Sequence, residues 1–195
     1  MKIAEVPLFP LKTVLFPGGP LPLRIFEPRY LDMISYCLRN EHGFGVVSIR
    51  EGQEVGPAEI NDVGTMAEIV DWYQGSDGLL GVTARGRERF RINSVRVQAD
   101  GLKLGKIEPI GPEPSQPLPQ VFAPMARVLS EIMDDLGSHY QELDRRYDDA
   151  SWVGYRFAEI LPVPAAQRQV YLEMNDPVER LEMLRPFLNF GEEAN

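Results

Sequence analysis

Few residues in this sequence are placed to do chemistry. Arg85, Arg87, Arg89 and Arg91 recur at every second position. In an extended chain alternate side chains share a face, so the four would form a cationic ridge able to meet phosphates. Gly86 can bend such a strand and break the ridge, and Phe90 and Ile92 would occupy the opposite, inward face. Cys37 is the single cysteine. Set among Ile34, Ser35, Tyr36 and Leu38, it reads as a buried helical thiol rather than a nucleophile. His42 and His139 lie far apart with no metal-ligand spacing around them. Asp134-Asp135 and Asp148-Asp149 pair carboxylates, but in an acidic stretch they read as solvated surface. There is no GxxxxGK[ST], GxSxG or HExxH, so neither a phosphate-cradling loop nor a standard hydrolase motif is present. No catalytic residue, metal set or cofactor is expected, and an enzyme acting on a small molecule is left without residues to carry it.

Aromatic side chains are the other candidates. Phe16 and Phe26 lie within FPLKTVLFPGGPLPLRIFEPRY, residues 9–30, and Trp72 and Tyr73 end an apolar run. Five prolines in residues 9–30 favour bends and sheet edges over central strands. Broken strands with unpaired backbone can accept an extended peptide by strand addition. Phe16, Phe26, Trp72 and Tyr73 are therefore the expected contacts for a polypeptide partner. Core packing is their competing role.

These residues need elements to hold them. Phe44 to Ile49, Val63 to Tyr73, Leu79 to Ala84, Arg89 to Val97 and Leu102 to Ile107 read as strands. Turns are expected at Gly75-Ser76-Asp77-Gly78 and Asp100-Gly101. One helix interrupts them over Glu27 to Leu38, with Pro28 in its first turn and Tyr30, Leu31, Ile34 and Leu38 at helical spacing. Residues 108–120 hold five prolines and read as a linker. Beyond it the period becomes helical. Val121, Met125, Val128, Leu129, Ile132 and Leu136 form one stripe, and Ser151 is the expected N-cap of a helix from Trp152. A further helix follows Pro162 and Pro164. Asp176-Pro177-Val178-Glu179 has the form of a capping box before Leu181, Leu184 and Leu188. The fold class is α+β: a β-rich subdomain over residues 1–110 with a helix inserted near 27–40, then a helical subdomain over 119–190.

Charge follows the same division. Residues 1–107 carry 13 acidic and 13 basic side chains, whereas residues 108–195 carry 16 and 7. The second part repels polyanions. Pro7 and Pro10 interrupt the opening apolar stretch, unlike a signal peptide, and no run of 18 apolar residues exists, so a membrane partner is not expected. A cytoplasmic location is the default expectation. Nucleic acid is the minor alternative, resting on the arginine row alone.

Several short stretches taken together resemble one known family. They are Pro7-Leu8-Phe9-Pro10-Leu11, Val14-Leu15-Phe16-Pro17-Gly18 and Ile25-Phe26-Glu27-Pro28-Arg29-Tyr30. Leu21-Pro22-Leu23, Val63-Gly64-Thr65 with Ala67-Glu68-Ile69, Gly86-Arg87-Glu88-Arg89-Phe90-Arg91-Ile92, Leu161-Pro162-Val163-Pro164 and Asn175-Asp176-Pro177-Val178-Glu179-Arg180-Leu181 complete the set. In this order and spacing they resemble the N-terminal, substrate-binding domain of the Lon proteases, over about residues 3–190. The resemblance implies a PUA-like β-barrel followed by a C-terminal α-helical bundle. It also implies a role in recognising polypeptide rather than cutting it, since neither the ATPase nor the Ser-Lys protease module is matched. PUA-like barrels that bind RNA give the arginine row its alternative. Glu27 and Arg29 are expected to be structural. The identity of the partner and the oligomeric state stay open.

Overall fold

The computed structural model describes residues 4–54, 56 and 58–188. Residues 1–3 and 189–190, at the outer limits of the expected subdomains, lie outside the described residues. Two compact units divide at Pro112/Glu113.

The first unit is one mixed six-stranded sheet with a single helix. Its strands are β1 (Ala4–Leu11), β2 (Pro20–Ile25), β3 (Phe44–Gly52), β4 (Ala58–Gln74), β5 (Leu80–Val97) and β6 (Lys103–Pro109). They lie in the order β2-β5-β4-β3-β1-β6. All neighbours are antiparallel except β1 and β3, which run parallel. β5 also pairs with β6, so the ladder β5-β4-β3-β1-β6 returns to its starting strand and only β2 is left outside it.

An 18-residue β5 makes that return possible. The expected strands at 79–84 and 89–97 are one element. Between its pairs Gly86–Ala67 and Arg89–Thr65 the register slips, with three steps on β5 matched by two on β4. Such a bulge bends a strand and raises its twist. Gly86 lies at the bulge because nothing larger fits: a Cβ there would stand 2.1 Å from the carbonyl oxygen of Phe16. The N–H of Gly86 instead donates to Gly19, and its carbonyl accepts from Gly18.

Two apolar clusters fill the unit. Leu8, Val47, Phe90 and Ile107 form the smaller one. The larger gathers Phe9, Phe44, Val82 and Ala84 with the buried face of α1 (Pro28–Asn40). Adjacent residues such as Leu8 and Phe9 belong to different clusters because strand side chains alternate in direction. The buried stripe of α1 is Tyr30, Met33, Ile34 and Cys37, rotated from the expected one. Leu38 is exposed, and Met33 and Cys37 take the inner positions. Burial pushes the Cys37 thiol up to about 11. The helix ends at Glu41, which takes the left-handed conformation with φ 53°.

The second unit is helical: α2 (Ala123–Asp135), α3 (Ser138–Gln141), α4 (Ala150–Ile160), α5 (Ala165–Glu173) and α6 (Pro177–Leu184). Phe122, Met125, Leu129 and Met133 form the inner stripe of α2 and the turn before it, while Val121 is exposed. Phe122, not Val121, supplies the helical-period contact. The N-cap of α4 is Asp149, whose side chain accepts from the N–H of Trp152. This corrects the expectation of Ser151, whose hydroxyl is instead drawn to Glu113 at 2.7 Å. Asp176 caps α6, accepting from Val178 and Glu179, with Pro177 in the first turn.

A buried ionic group lies within this unit. Arg180 donates to both carboxylate oxygens of Glu113. It also donates to the backbone carbonyls of Tyr171 and Met174 and stacks on the Tyr155 ring at 4.0 Å. The Tyr155 hydroxyl donates to Glu113 as well. Arg156, fully buried, pairs with Glu159 at 3.1 Å, and burial pushes the Glu159 carboxyl up.

Candidate functional site

Prolines decide where the first unit stays open. β2 is bonded on one side only, to β5. Pro20 and Pro22 carry no N–H, so alternate positions of this strand offer acceptors but no donors. β6 accompanies β1 only from Ala4 to Leu8, which leaves Phe9 to Leu11 with β3 alone. These two half-paired segments line one cleft of about 170 Å³, together with Phe26, Glu27, Tyr30 and Glu54.

The cleft has an aromatic wall and a charged rim. Phe9 and Tyr30 meet edge to face with ring centroids 4.1 Å apart. Burial pushes the Tyr30 hydroxyl up. The Arg29 guanidinium stacks on the Tyr30 ring at 4.7 Å, pairs with Glu27 at 2.6 Å and donates to the carbonyl of Gly101 at 3.1 Å. Glu27 and Arg29 thus fix the first turn of α1 to the β5–β6 turn. Glu54 accepts from the backbone N–H of Lys12 at 2.7 Å. Phe26 follows β2 directly and is 60% exposed. A ring left in water beside an open strand edge is ready to cover apolar surface on a guest.

The four aromatic candidates do not converge. Phe16 is wholly buried and serves the core. Trp72 and Tyr73 are 60% and 47% exposed, but they lie on β4, with β5 between them and β2. Val82 stands between Trp72 and Leu23, and Gly81 between Tyr73 and Arg24. The Tyr73 ring covers Gly81, where a Cβ would come within 2.4 Å of it. Arg24 pairs with Asp77 of the hairpin turn. Phe26 lines the cleft; Trp72 and Tyr73 form a separate exposed patch.

The arginine row is not a ridge. The bulge after Gly86 changes which way alternate residues point, so Arg85 is half-buried, Arg87 and Arg91 are exposed and Arg89 is only 3% exposed. Arg87 is paired with Glu68, and Arg91 lies across from Glu108. No face carries all four charges. Among the described residues no group of three or more His, Cys, Asp or Glu is gathered to hold a metal. No described helix is long and apolar enough to cross a membrane.

The half-paired cleft was not legible as such. Its signal was the proline spacing, but which two segments it separates depends on how the ladders close.

The model of the ATP-dependent protease La (LON) substrate-binding domain matches residues 5–189. The chain belongs to the LON substrate-binding domain family. A solved Lon N-terminal domain protein from Xanthomonas campestris is 36% identical, covers 95% of this chain and 99% of that one, and superposes with a TM-score of 0.79. Lon protease 2 of Myxococcus xanthus is 27% identical over 193 residues, which span 94% of this chain and 23% of the protease. Protein cereblon of Danio rerio is 31% identical over 110 residues, covering 54% of this chain and 25% of that protein. The LON-family chain thus spans about a quarter of the length of the curated relatives it matches. The matched family model is that of the substrate-binding domain.

Proposed function

We propose that this chain is a non-catalytic recognition module that binds extended polypeptide segments in the cleft between the open edge of β2 and the end of β1. The observation that carries the reading is that one cleft collects two half-paired strand segments and an exposed Phe26. Main-chain bonds from a guest strand would supply affinity with little demand on sequence, and side-chain contacts at Phe26 would supply preference. Membership of a family named for substrate binding in a protease supports polypeptide as the ligand class. The ladder that returns on itself supports a PUA-like β-barrel, and α2 to α6 support a C-terminal helical bundle. Trp72 and Tyr73 would serve as a secondary contact. Binding of nucleic acid through Arg85, Arg87, Arg89 and Arg91 is disfavoured by the broken row. A cytoplasmic setting fits this role.

Fluorescence anisotropy with a labelled unfolded polypeptide and a structured RNA, each at low and high salt, tests the reading. Binding of the polypeptide that survives salt is the expected result. Failure to bind it, or RNA binding that falls steeply with salt while the polypeptide is ignored, overturns it.

A further inference from the structure

One hydrogen bond at the head of β2 fixes which way each of its residues points. The N–H of Gly86 donates to the carbonyl of Gly19 at 2.9 Å. From there β2 and β5 pair without a break, from Pro20–Arg85 to Ile25–Leu80. In an antiparallel ladder a residue turns its N–H and C=O to the same side, and successive residues turn to opposite sides. Leu21, Leu23 and Ile25 therefore share the direction of Gly19, toward β5. Pro20, Pro22 and Arg24 turn theirs away from it. The ladder loses nothing by this, because the N–H groups that the two prolines lack would have faced outward.

The outward edge is thus lopsided. It carries three carbonyls, of Pro20, Pro22 and Arg24, and a single donor, the N–H of Arg24. Pro20 is buried, whereas Pro22 and Arg24 are exposed and line the cleft next to Phe26. Outside the sheet ladders, no described group donates to either carbonyl. Across the cleft Phe9, Pro10 and Leu11 are all buried, so they wall it without offering a second accessible edge. An accessible carbonyl row with almost no donors is complementary to a backbone that supplies N–H groups.

Resting on the polypeptide-recognition reading, we infer that a guest strand is held by bonds that run mainly one way, from its N–H groups to the carbonyls of Pro22 and Arg24, and that the site selects segments free of proline at the two residues facing them. In an antiparallel guest the residue opposite Arg24 gives and receives a bond. The residue opposite Pro22, two places away, gives one and receives none. The far edge of the guest stays in water. A proline at either facing position removes a donor and is refused.

The test uses the full chain and one labelled peptide, Phe-Val-Thr-Leu-Thr-Val-Phe, in three forms: unmodified, N-methylated at every second residue, and N-methylated at every residue. The alternately methylated form keeps one complete donor edge and should bind within about threefold of the unmodified peptide, whereas the fully methylated form should bind about tenfold more weakly or worse. Pro22→Ala supplies the missing N–H and should tighten binding of the unmodified peptide by about two- to tenfold. Equal binding of all three forms overturns the inference, because apolar contact alone would then hold the guest. Loss of the alternately methylated form overturns it as well, because both edges of the guest would then be bonded. So does an unchanged affinity in a Pro22→Ala variant with the parent's circular dichroism. Should that variant fail to fold, the three forms measured on the parent decide. Each of these results leaves the polypeptide reading standing; absence of binding by the unmodified peptide removes both.

Discussion

Arg180 grips both carboxylate oxygens of Glu113 with both terminal nitrogens, in a part of the second unit where the Arg180 side chain has no exposure to water. Two hydroxyls, from Ser151 and Tyr155, converge on the same carboxylate. Removing one member of such a pair leaves the other buried and uncompensated. Glu113→Ala should therefore destabilise the protein by about 3–5 kcal/mol. Arg180→Met added to it should cost less than the sum of the two single changes. Urea denaturation followed by circular dichroism, arranged as a double-mutant cycle, measures both.

Gly86 and Gly81 both lack room for a methyl group, yet they should respond differently. A Cβ at Gly86 strikes the backbone carbonyl of Phe16, which is itself tied down through Gly18 and Gly19. Gly86→Ala must strain the bulge and should cost about 1–3 kcal/mol. A Cβ at Gly81 strikes only the Tyr73 ring, which is half exposed and free to swing away. Gly81→Ala should leave the urea midpoint nearly unchanged and shift the tyrosine fluorescence.

Within the aromatic set, Phe26 and Trp72 are equally exposed but only Phe26 lines the cleft. Phe26→Ala should weaken binding of an unfolded polypeptide by about five- to thirtyfold, the size of a moderate hot spot. Trp72→Ala should change it by no more than about twofold. Anisotropy titrations of the two variants against the parent decide. Equal losses would move the contact surface to β4.

The Cys37 thiol ionises more reluctantly in the folded protein, because burial raises it from 9.0 to about 11. A raised value means the folded state holds the proton more tightly. The stability this gives is complete below pH 9 and is lost as pH rises toward 11. The unfolding free energy should decline across that window, and Cys37→Ala should decline less steeply while starting lower. The Tyr30 and Tyr140 hydroxyls are also raised, chiefly by burial, and both add to the slope that remains. At pH 8 a thiol reagent should label Cys37 only after the chain unfolds.

Much of the order and type of the elements could be read from local patterns, because turns and caps act locally. Asp100-Gly101 turns β5 into β6, and Asp176 caps α6. Phe16 could not be assigned by type alone: an aromatic ring between prolines suits a core and a surface equally, and the bonds of Gly18 and Gly19 to Gly86 decided for the core. The arginine row failed for the same non-local reason, since the slip opposite Thr65 and Ala67 depends on the partner strand. Asp149 rather than Ser151 is the cap because α4 begins at Ala150, which puts Ser151 inside the first turn, where its hydroxyl reaches Glu113 instead.

An open strand edge is an invitation to other copies of the same chain, which could stack edge to edge and aggregate. Pro20 and Pro22 guard against this. Two β2 edges brought together would face each other with missing donors at alternate positions, and neither could complete the other's ladder. A proline-free guest strand, as proposed above, would bring its own N–H groups to the carbonyls that a second copy would leave unpaired. The prolines that interrupt the opening stretch would thus help keep the chain from pairing edge to edge with itself.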